Sequence, residues 1–425
     1  MNESIIATRN QLVRQIEHWG LATSRLGDFD NLASPSAWNG LERYLGITIR
    51  GVLKSAVSRL QFKIDALRAA LRNAQNEAKL QHIQQQLTVF RKDYLRTEIT
   101  LDFYADAIIV RSNPKLEPLL RACDCMAYKS LKSVLDQLDK RTPLVLTYVD
   151  KGLGASILKA GLRLWDQNVQ NPAAVIKIVN HNLYRPTALI HETGHQMAHI
   201  TGWNDELSTA LESGLSEHSN DLGQLWGSWS SEIAADAFAF VHTGYASVVG
   251  LHDVLSGSVR FVFQHRIGDP HPISYIRVLL GIEMCKQFYG KGPWDDMARV
   301  WKNTYPLQQA SADTRRLIER SIPILPQVVD IIMKKPMLSF GGRTLSALVD
   351  PMRVSPRSLL LLEKKIGPAL YTSMHWVWTE SLRLLALSSL KATTVPEKSV
   401  DAMQQQKDWM LQLGTALKVA RFQYL

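Results

Sequence analysis

Ile190-His191-Glu192-Thr193-Gly194-His195-Gln196-Met197-Ala198-His199 places His191 and His195 four residues apart, with a glutamate directly after the first. Pro186, a few residues earlier, suits the first turn of a helix because its missing N–H is not needed there. On a helix, residues i and i+4 stand one above the other, so both imidazoles can reach a single Zn²⁺ at about 2.0–2.1 Å each. Glu192 lies about 100° round the helix from His191, where it faces the water that a catalytic zinc activates rather than the metal itself. The spacing therefore predicts a metal-binding helix with an internal general base. The competing account is an amphipathic helix whose histidines make ordinary hydrogen bonds, and the rest of the chain must decide between them.

Two histidines do not complete a catalytic zinc site; a third protein ligand is needed, with the fourth position left to water. His199 is four residues beyond His195, but on a continuous helix it lies about 12 Å along the axis from His191, too far to share one ion. The H-E-x-x-H-x-x-G-x-x-H arrangement fails too, because its glycine and third histidine positions hold Ala198 and Thr201. Downstream, Trp229-Ser230-Ser231-Glu232-Ile233-Ala234-Ala235-Asp236-Ala237-Phe238 sets two carboxylates four apart in an otherwise apolar helix. Carboxylates rarely occupy such a face without a charge to meet. Glu232 is therefore the expected third ligand, and Asp236, one turn on, the expected acceptor for the outer N–H of a ligating histidine. An acidic first turn capped by Ser230 or Ser231 is the other account of Glu232. Glu206, Glu212, Glu217 and His218 are weaker ligand candidates in the intervening loop or short helix.

Composition bounds the rest. A chain of 425 residues with 46% hydrophobic content can bury a large core in two or three domains or one enlarged domain. No apolar run reaches a clean eighteen residues, since Ile233 to Leu251 contains Asp236 and His242, and the N-terminus has no basic segment followed by an apolar one. We expect no integral membrane segment and a soluble, cytoplasmic protein. Cys123, Cys125 and Cys285 cannot build a disulfide framework, so reduced thiols are expected, with a metal on Cys123-Asp124-Cys125 as the lesser alternative. The net charge of +10 comes from basic residues scattered as singles and pairs, such as Arg68, Arg72, Lys79, Lys334 and Lys335. Solvated helix faces explain that pattern, and no nucleic-acid partner is expected.

Residues 1–141 read as helical. Leu53, Val57, Leu60, Ile64, Leu67, Leu71, Ala74 and Ala78 alternate spacings of four and three, and a second seam of Leu80, Ile83, Leu87, Phe90 and Tyr94 runs in a different phase. The shift between Ala78 and Leu80 allows either a stutter in one long helix or a tight turn between two, and helix-mediated self-association is one use for such a seam. From residue 142 the texture changes. Pro143 to Val149 predicts a strand, Asp150 to Gly154 a turn, Ala155 to Trp165 a helix and Ala173 to Val179 a second strand. The His191 helix follows, a layout in which a sheet edge can pair with an extended peptide beside the metal. Residues 295–425 again read as helices, broken near Pro323, Pro326, Pro336 and Gly341-Gly342.

One more segment, Asp269-Pro270-His271-Pro272-Ile273-Ser274-Tyr275-Ile276-Arg277, completes a recognisable order. His191-Glu192-x-x-His195, then Glu232-x-x-x-Asp236, then His271-Pro272 with Arg277, resembles the gluzincin metallopeptidases, most nearly the M48-type group of prenyl-protein (CAAX) and HtpX-like proteases. The resemblance covers residues 144 to 284. It implies a zincin-like core in which His191, His195 and Glu232 bind zinc, Glu192 activates water, and His271 and Arg277 line the active site. A donor in either position, or at Tyr275, can stabilise an oxyanion. The chain departs from the membrane members of that group in having no spanning helix. The expectation is thus a predominantly helical α+β protein, with a zincin-like domain over 142–294 flanked by helical regions, hydrolysing a protein or peptide substrate. A helical scaffold with a structural or vestigial metal site, and a zinc hydrolase of a non-peptide amide, are the alternatives.

Overall fold

The computed structural model describes residues 3–152, 155–161 and 171–417. It is mostly helical with one three-stranded sheet, and the described residues fall into two compact units: residues 3–114 with 160–161 and 171–175, and residues 115–152 and 155–159 with 176–417.

The first unit is built on α1 (Glu3–Leu26), α2 (Pro35–Leu45), α3 (Ile49–Arg72) and α4 (Glu77–Arg111). The two apolar seams resolve as two helices joined by a tight turn. That turn falls at residues 73–76, ahead of the phase shift, because Asn76 caps α4 by accepting from the Lys79 N–H. Ala74 therefore sits in the turn and Ala78 on the exposed side of α4's first helical turn, neither of them in α3. The seams close on each other and on α1: Leu12, Ile16, Leu60, Ile64, Leu67, Leu80, Ile83, Leu87 and Phe90 form one buried cluster. Arg68–Glu17 and Lys63–Asp93 ion pairs lie across the rim, where exposure keeps each worth about 1 kcal/mol or less.

The second unit holds α5 (Glu117–Leu135), β1 (Leu144–Asp150), β2 (Ser156–Leu158), β3 (Ala173–Val179), whose first residues belong with the other unit, and α6 (Thr187–Thr201). The sheet order is β1-β3-β2. β1 and β3 match the expected strands, but the helix expected from Ala155 is a strand over Ser156–Leu158, and its later residues, 162–170, lie outside the described ones. Pairing with β3 overrode a local helical reading, a common outcome for short β-branched and leucine-containing stretches beside a sheet edge. Of the expected turn, Leu153 and Gly154 also lie outside the described residues. Asp124, fully buried, accepts from the Thr147 N–H at 2.6 Å and the Thr147 hydroxyl at 2.8 Å, tying α5 to β1. Cys123 and Cys125 beside it are buried as thiols, and burial pushes Cys125 up to about 12.

After α6 the chain makes α7 (Trp203–Leu215), α8 (Asn220–Ser228), α9 (Ser230–Thr243), α10 (Tyr245–Leu255), α11 (Val259–Val262) and α12 (Ser274–Tyr289). Gly202 ends α6 in the left-handed conformation at φ 76°, which a glycine adopts without steric cost. Further helices, among them Leu325–Lys334, Ser381–Thr394 and Ser399–Ala416, pack around α5, α9, α10 and α12. Among the described residues, no helix is long and apolar enough to cross a membrane.

His242 shows how dry this core is. It sits in α9 with its ring edge-on to Phe238, centroids 4.6 Å apart. Burial, reinforced by the charge of Arg353, lowers its pKa from 6.5 to about 3. Below pH 6.5 the unfolded chain takes up a proton that the folded chain refuses, so stability present above that pH is lost progressively down to about pH 3. Between about pH 7.5 and 5, urea unfolding should show the native protein losing about 2 kcal/mol more than His242→Gln; equal losses would overturn the neutral, buried assignment.

Candidate metal centre

Two helices assemble the site. α6 contributes His191 and His195 from adjacent turns, their rings edge-to-face with centroids 4.8 Å apart. α9 contributes Glu232 in its first turn and Asp236 one turn later. They can meet because Gly194 lets the helix backbones touch: a Cβ added there would lie 2.7 Å from Ala235 Cα and 3.0 Å from its carbonyl oxygen. Gly194→Ala must push the helices apart and is expected to cost about 1–3 kcal/mol in thermal or urea unfolding. The same shift should weaken metal binding in a competition titration, and native values in both would refute the close-approach argument.

The donor atoms of His191, His195 and Glu232 all lie within 4.8 Å of one another. His191 Nε2 is 3.5 Å from Glu232 Oε2 and His195 Nε2 is 3.3 Å from Glu232 Oε1. Donors around a tetrahedral metal ion such as zinc stand about 3.3–3.4 Å apart, a spacing that the two histidine–glutamate distances match. The outer nitrogens are held from behind: Ser231 Oγ lies 3.3 Å from His195 Nδ1, and Asp236 Oδ1 lies 2.8 Å from His191 Nδ1. The latter contact is short but poorly directed for a hydrogen bond, which makes it electrostatic in character.

Arg277, from α12, fixes both carboxylates. Its Nε and Nη2 donate to the two Asp236 oxygens at 2.6 and 2.9 Å, and Nη2 lies 3.0 Å from Glu232 Oε2. Arg277 is only 6% exposed. Burial opposes ionisation of Glu232, but Arg277, with His191 and His195, overrides it and holds the carboxyl far below its usual range. Burial likewise opposes a charged His191, yet Asp236 and Glu232 push that imidazole up to about 10. Binding of a metal must therefore displace a proton from it.

Glu192 turns towards the same cavity without joining the ligand group. Burial raises its pKa against the lowering effect of His191, His195 and Arg277. His271 stands on the loop before α12, its ring 59% exposed, with Nδ1 2.7 Å from Asp269 Oδ1 and Nε2 3.6 Å from Glu232 Oε1. The cavity, about 510 Å³, is also lined by Lys159, directly after β2. Tyr275 is buried in α12, its ring tilted against Phe263 at 5.3 Å.

Of the weaker ligand candidates, Glu217 is exposed and outside the ligand group, and the other three are used elsewhere. Glu206 accepts from the Leu338 and Ser339 N–H groups, Glu212 packs against Gly227, and His218 pairs with Gln327. They stand in α7 and at the start of the link to α8, which fill the interval read as a loop or short helix. His199 lies at the exposed end of α6, outside the ligand group. Ser230 and Ser231 do not cap α9, which begins without a side-chain cap; Ser231 serves His195 instead. Sequence reasoning missed Ser231 in that role, and Lys159 and Asp269 altogether. Asp269 had a readable signal, its place two residues before His271.

Comparison with protein-family models, curated proteins and solved structures finds no match to this chain.

Proposed function

We propose that the chain is a zinc-dependent metallopeptidase of the gluzincin type, with residues around α6, α9 and the sheet as a zincin-like core. The observation that supports this best is Glu192: a buried carboxylate beside a three-ligand group, in the same cavity, taking no part in ligation. A structural metal site has no use for it. His191, His195 and Glu232 would hold the ion, which when bound supplies Lewis acidity to a carbonyl and acidity to a water. Glu192 then accepts the proton of the attacking water and delivers it to the departing amine nitrogen, its burial raising its basicity for the task. His271, whose Nδ1–H donates to Asp269, presents Nε2 towards the cavity, where the doubly protonated ring is a donor to the developing oxyanion. Arg277 and Asp236 act from behind as positioning residues. β2, at the edge of the sheet and packed on α6, offers an extended substrate a strand to lie along.

Metal analysis tests the reading. Purified protein should retain about one zinc per chain, lost in His195→Ala, and a chelator should stop hydrolysis of a peptide substrate. A protein that binds no zinc, or that cleaves peptides equally well with the chelator, contradicts it.

A further inference from the structure

We propose that the outward face of the helix Pro356–Ile366 docks the protein on the surface of an anionic lipid bilayer. Leu359-Leu360-Leu361-Leu362 puts four leucines in a row on this helix. Successive residues turn by about 100°, so the four cannot share one face. Leu359 takes the inward position at 2% exposure, while Leu360 and Leu361 stand 50% and 54% exposed. Arg357, Lys364 and Lys365 are exposed as well, and all five side chains fall within about 80° of the direction opposite Leu359. The outward face therefore carries two leucines in its middle, one cation a turn before them and two cations a turn after. It is remote from the metal centre. Val354, in the turn that leads into the helix, lies against Gly244, which follows the end of α9 opposite Glu232, about 18 Å away along that helix.

The charge on this face is not neutralised within the chain. Arg357, Lys364 and Lys365 make no ion pair among the described residues. The one acid between residues 351 and 369, Glu363, is turned aside to Lys391 and to the Tyr371 hydroxyl, which donates to it at 2.6 Å. Met352, 45% exposed, and Arg353, also exposed, continue the same composition into the preceding turn. Three unpaired cations attract a surface of phosphates and carboxylates, and the two leucines select among such surfaces. A soluble polyanion meets the cations but leaves Leu360 and Leu361 in water. An apolar groove on a protein takes the leucines but must strip water from the cations. A bilayer surface satisfies both at once, because the long stems of Arg and Lys keep their heads among the lipid phosphates while neighbouring apolar side chains enter the acyl boundary. Contact of this kind needs no spanning helix.

The test uses the full chain and vesicles of phosphatidylcholine, alone or with about a third phosphatidylserine, in about 0.15 M salt. Flotation should show at least roughly tenfold tighter binding to the phosphatidylserine vesicles, weakening as salt is raised. Each surface cation contributes about fivefold, so Arg357→Gln, Lys364→Gln and Lys365→Gln together should weaken binding by roughly a hundredfold. Leu360→Ser with Leu361→Ser should weaken it by roughly tenfold and leave the salt dependence in place. All five positions are exposed, so these variants should unfold in urea as the native protein does, which separates lost binding from lost folding. A second readout keeps the cations intact. Leu361→Cys takes a polarity-sensitive fluorophore selectively, since Cys123, Cys125 and Cys285 are buried, and its emission should move to the blue on the phosphatidylserine vesicles. Equal binding to both vesicles, no binding to either, or native binding by the triple variant overturns the proposal. Emission that stays as in water while the cations still govern binding marks a site for a soluble polyanion or an acidic protein and overturns the bilayer assignment.

Discussion

Replacing Glu192 with glutamine should lower peptide hydrolysis by roughly 10²- to 10⁴-fold, the usual contribution of a positioned general base, and leave metal content unchanged. Two features of the site separate these outcomes. Glu192 stands outside the ligand group, so its loss removes no donor from the ion. Glutamine keeps the shape of the side chain but cannot accept the proton that the attacking water must shed. Because burial raises the pKa of Glu192, the native activity should also fall on acidification at a pH above the ordinary carboxylate range, as the base becomes protonated. Rate measurements with zinc content determined on the same samples check the first point. Full activity in the variant would end the assignment, and loss of zinc would make Glu192 a ligand.

Arg277→Met should be the most damaging single change to the unit's stability. The native guanidinium satisfies two buried carboxylates, and without it Glu232 and Asp236 keep only the His191 imidazole between them and lose every hydrogen bond that Arg277 supplies. Removing one partner of a buried, hydrogen-bonded ion pair costs about 3–5 kcal/mol. Urea unfolding of metal-free protein should show a loss of that size. Zinc affinity should fall by roughly 10- to 100-fold, as when other groups that orient metal ligands are removed. Arg277→Lys keeps the charge but loses the two-pronged geometry, so it should fall between. A variant with native stability and native zinc affinity would show that Arg277 neither supports the carboxylates nor orients Glu232.

What could be read from the sequence was whatever a single helix dictates. The i, i+4 spacing of His191 and His195, and of Glu232 and Asp236, fixes which side chains share a face, and the structure brings the two faces together. The seams of α3 and α4 were visible for the same reason. What could not be read depends on pairing across the fold. β2 exists because β3 offers it an edge, so its three residues carried no alternating pattern long enough to overrule a helical reading. Lys159 was hidden with it, since its place in the cavity follows from that strand. The partnership of Ser231 with His195 depends on the approach of α6 to α9, and Arg277 was visible as a site residue but not as one that faces inward to two carboxylates.

The contact of Gly194 with Ala235 also constrains how the molecule folds. Those residues are about forty apart in sequence, so α6 and α9 dock only after a long segment of chain has been closed into a loop, an entropic cost of about 3 kcal/mol before any contact offsets it. His191 and His195 come from one helix and can begin to hold an ion early, but Glu232 arrives only with that docking. On the proposed zinc reading, tight binding belongs to the folded chain alone, and added zinc should favour the native state in proportion to the logarithm of its concentration.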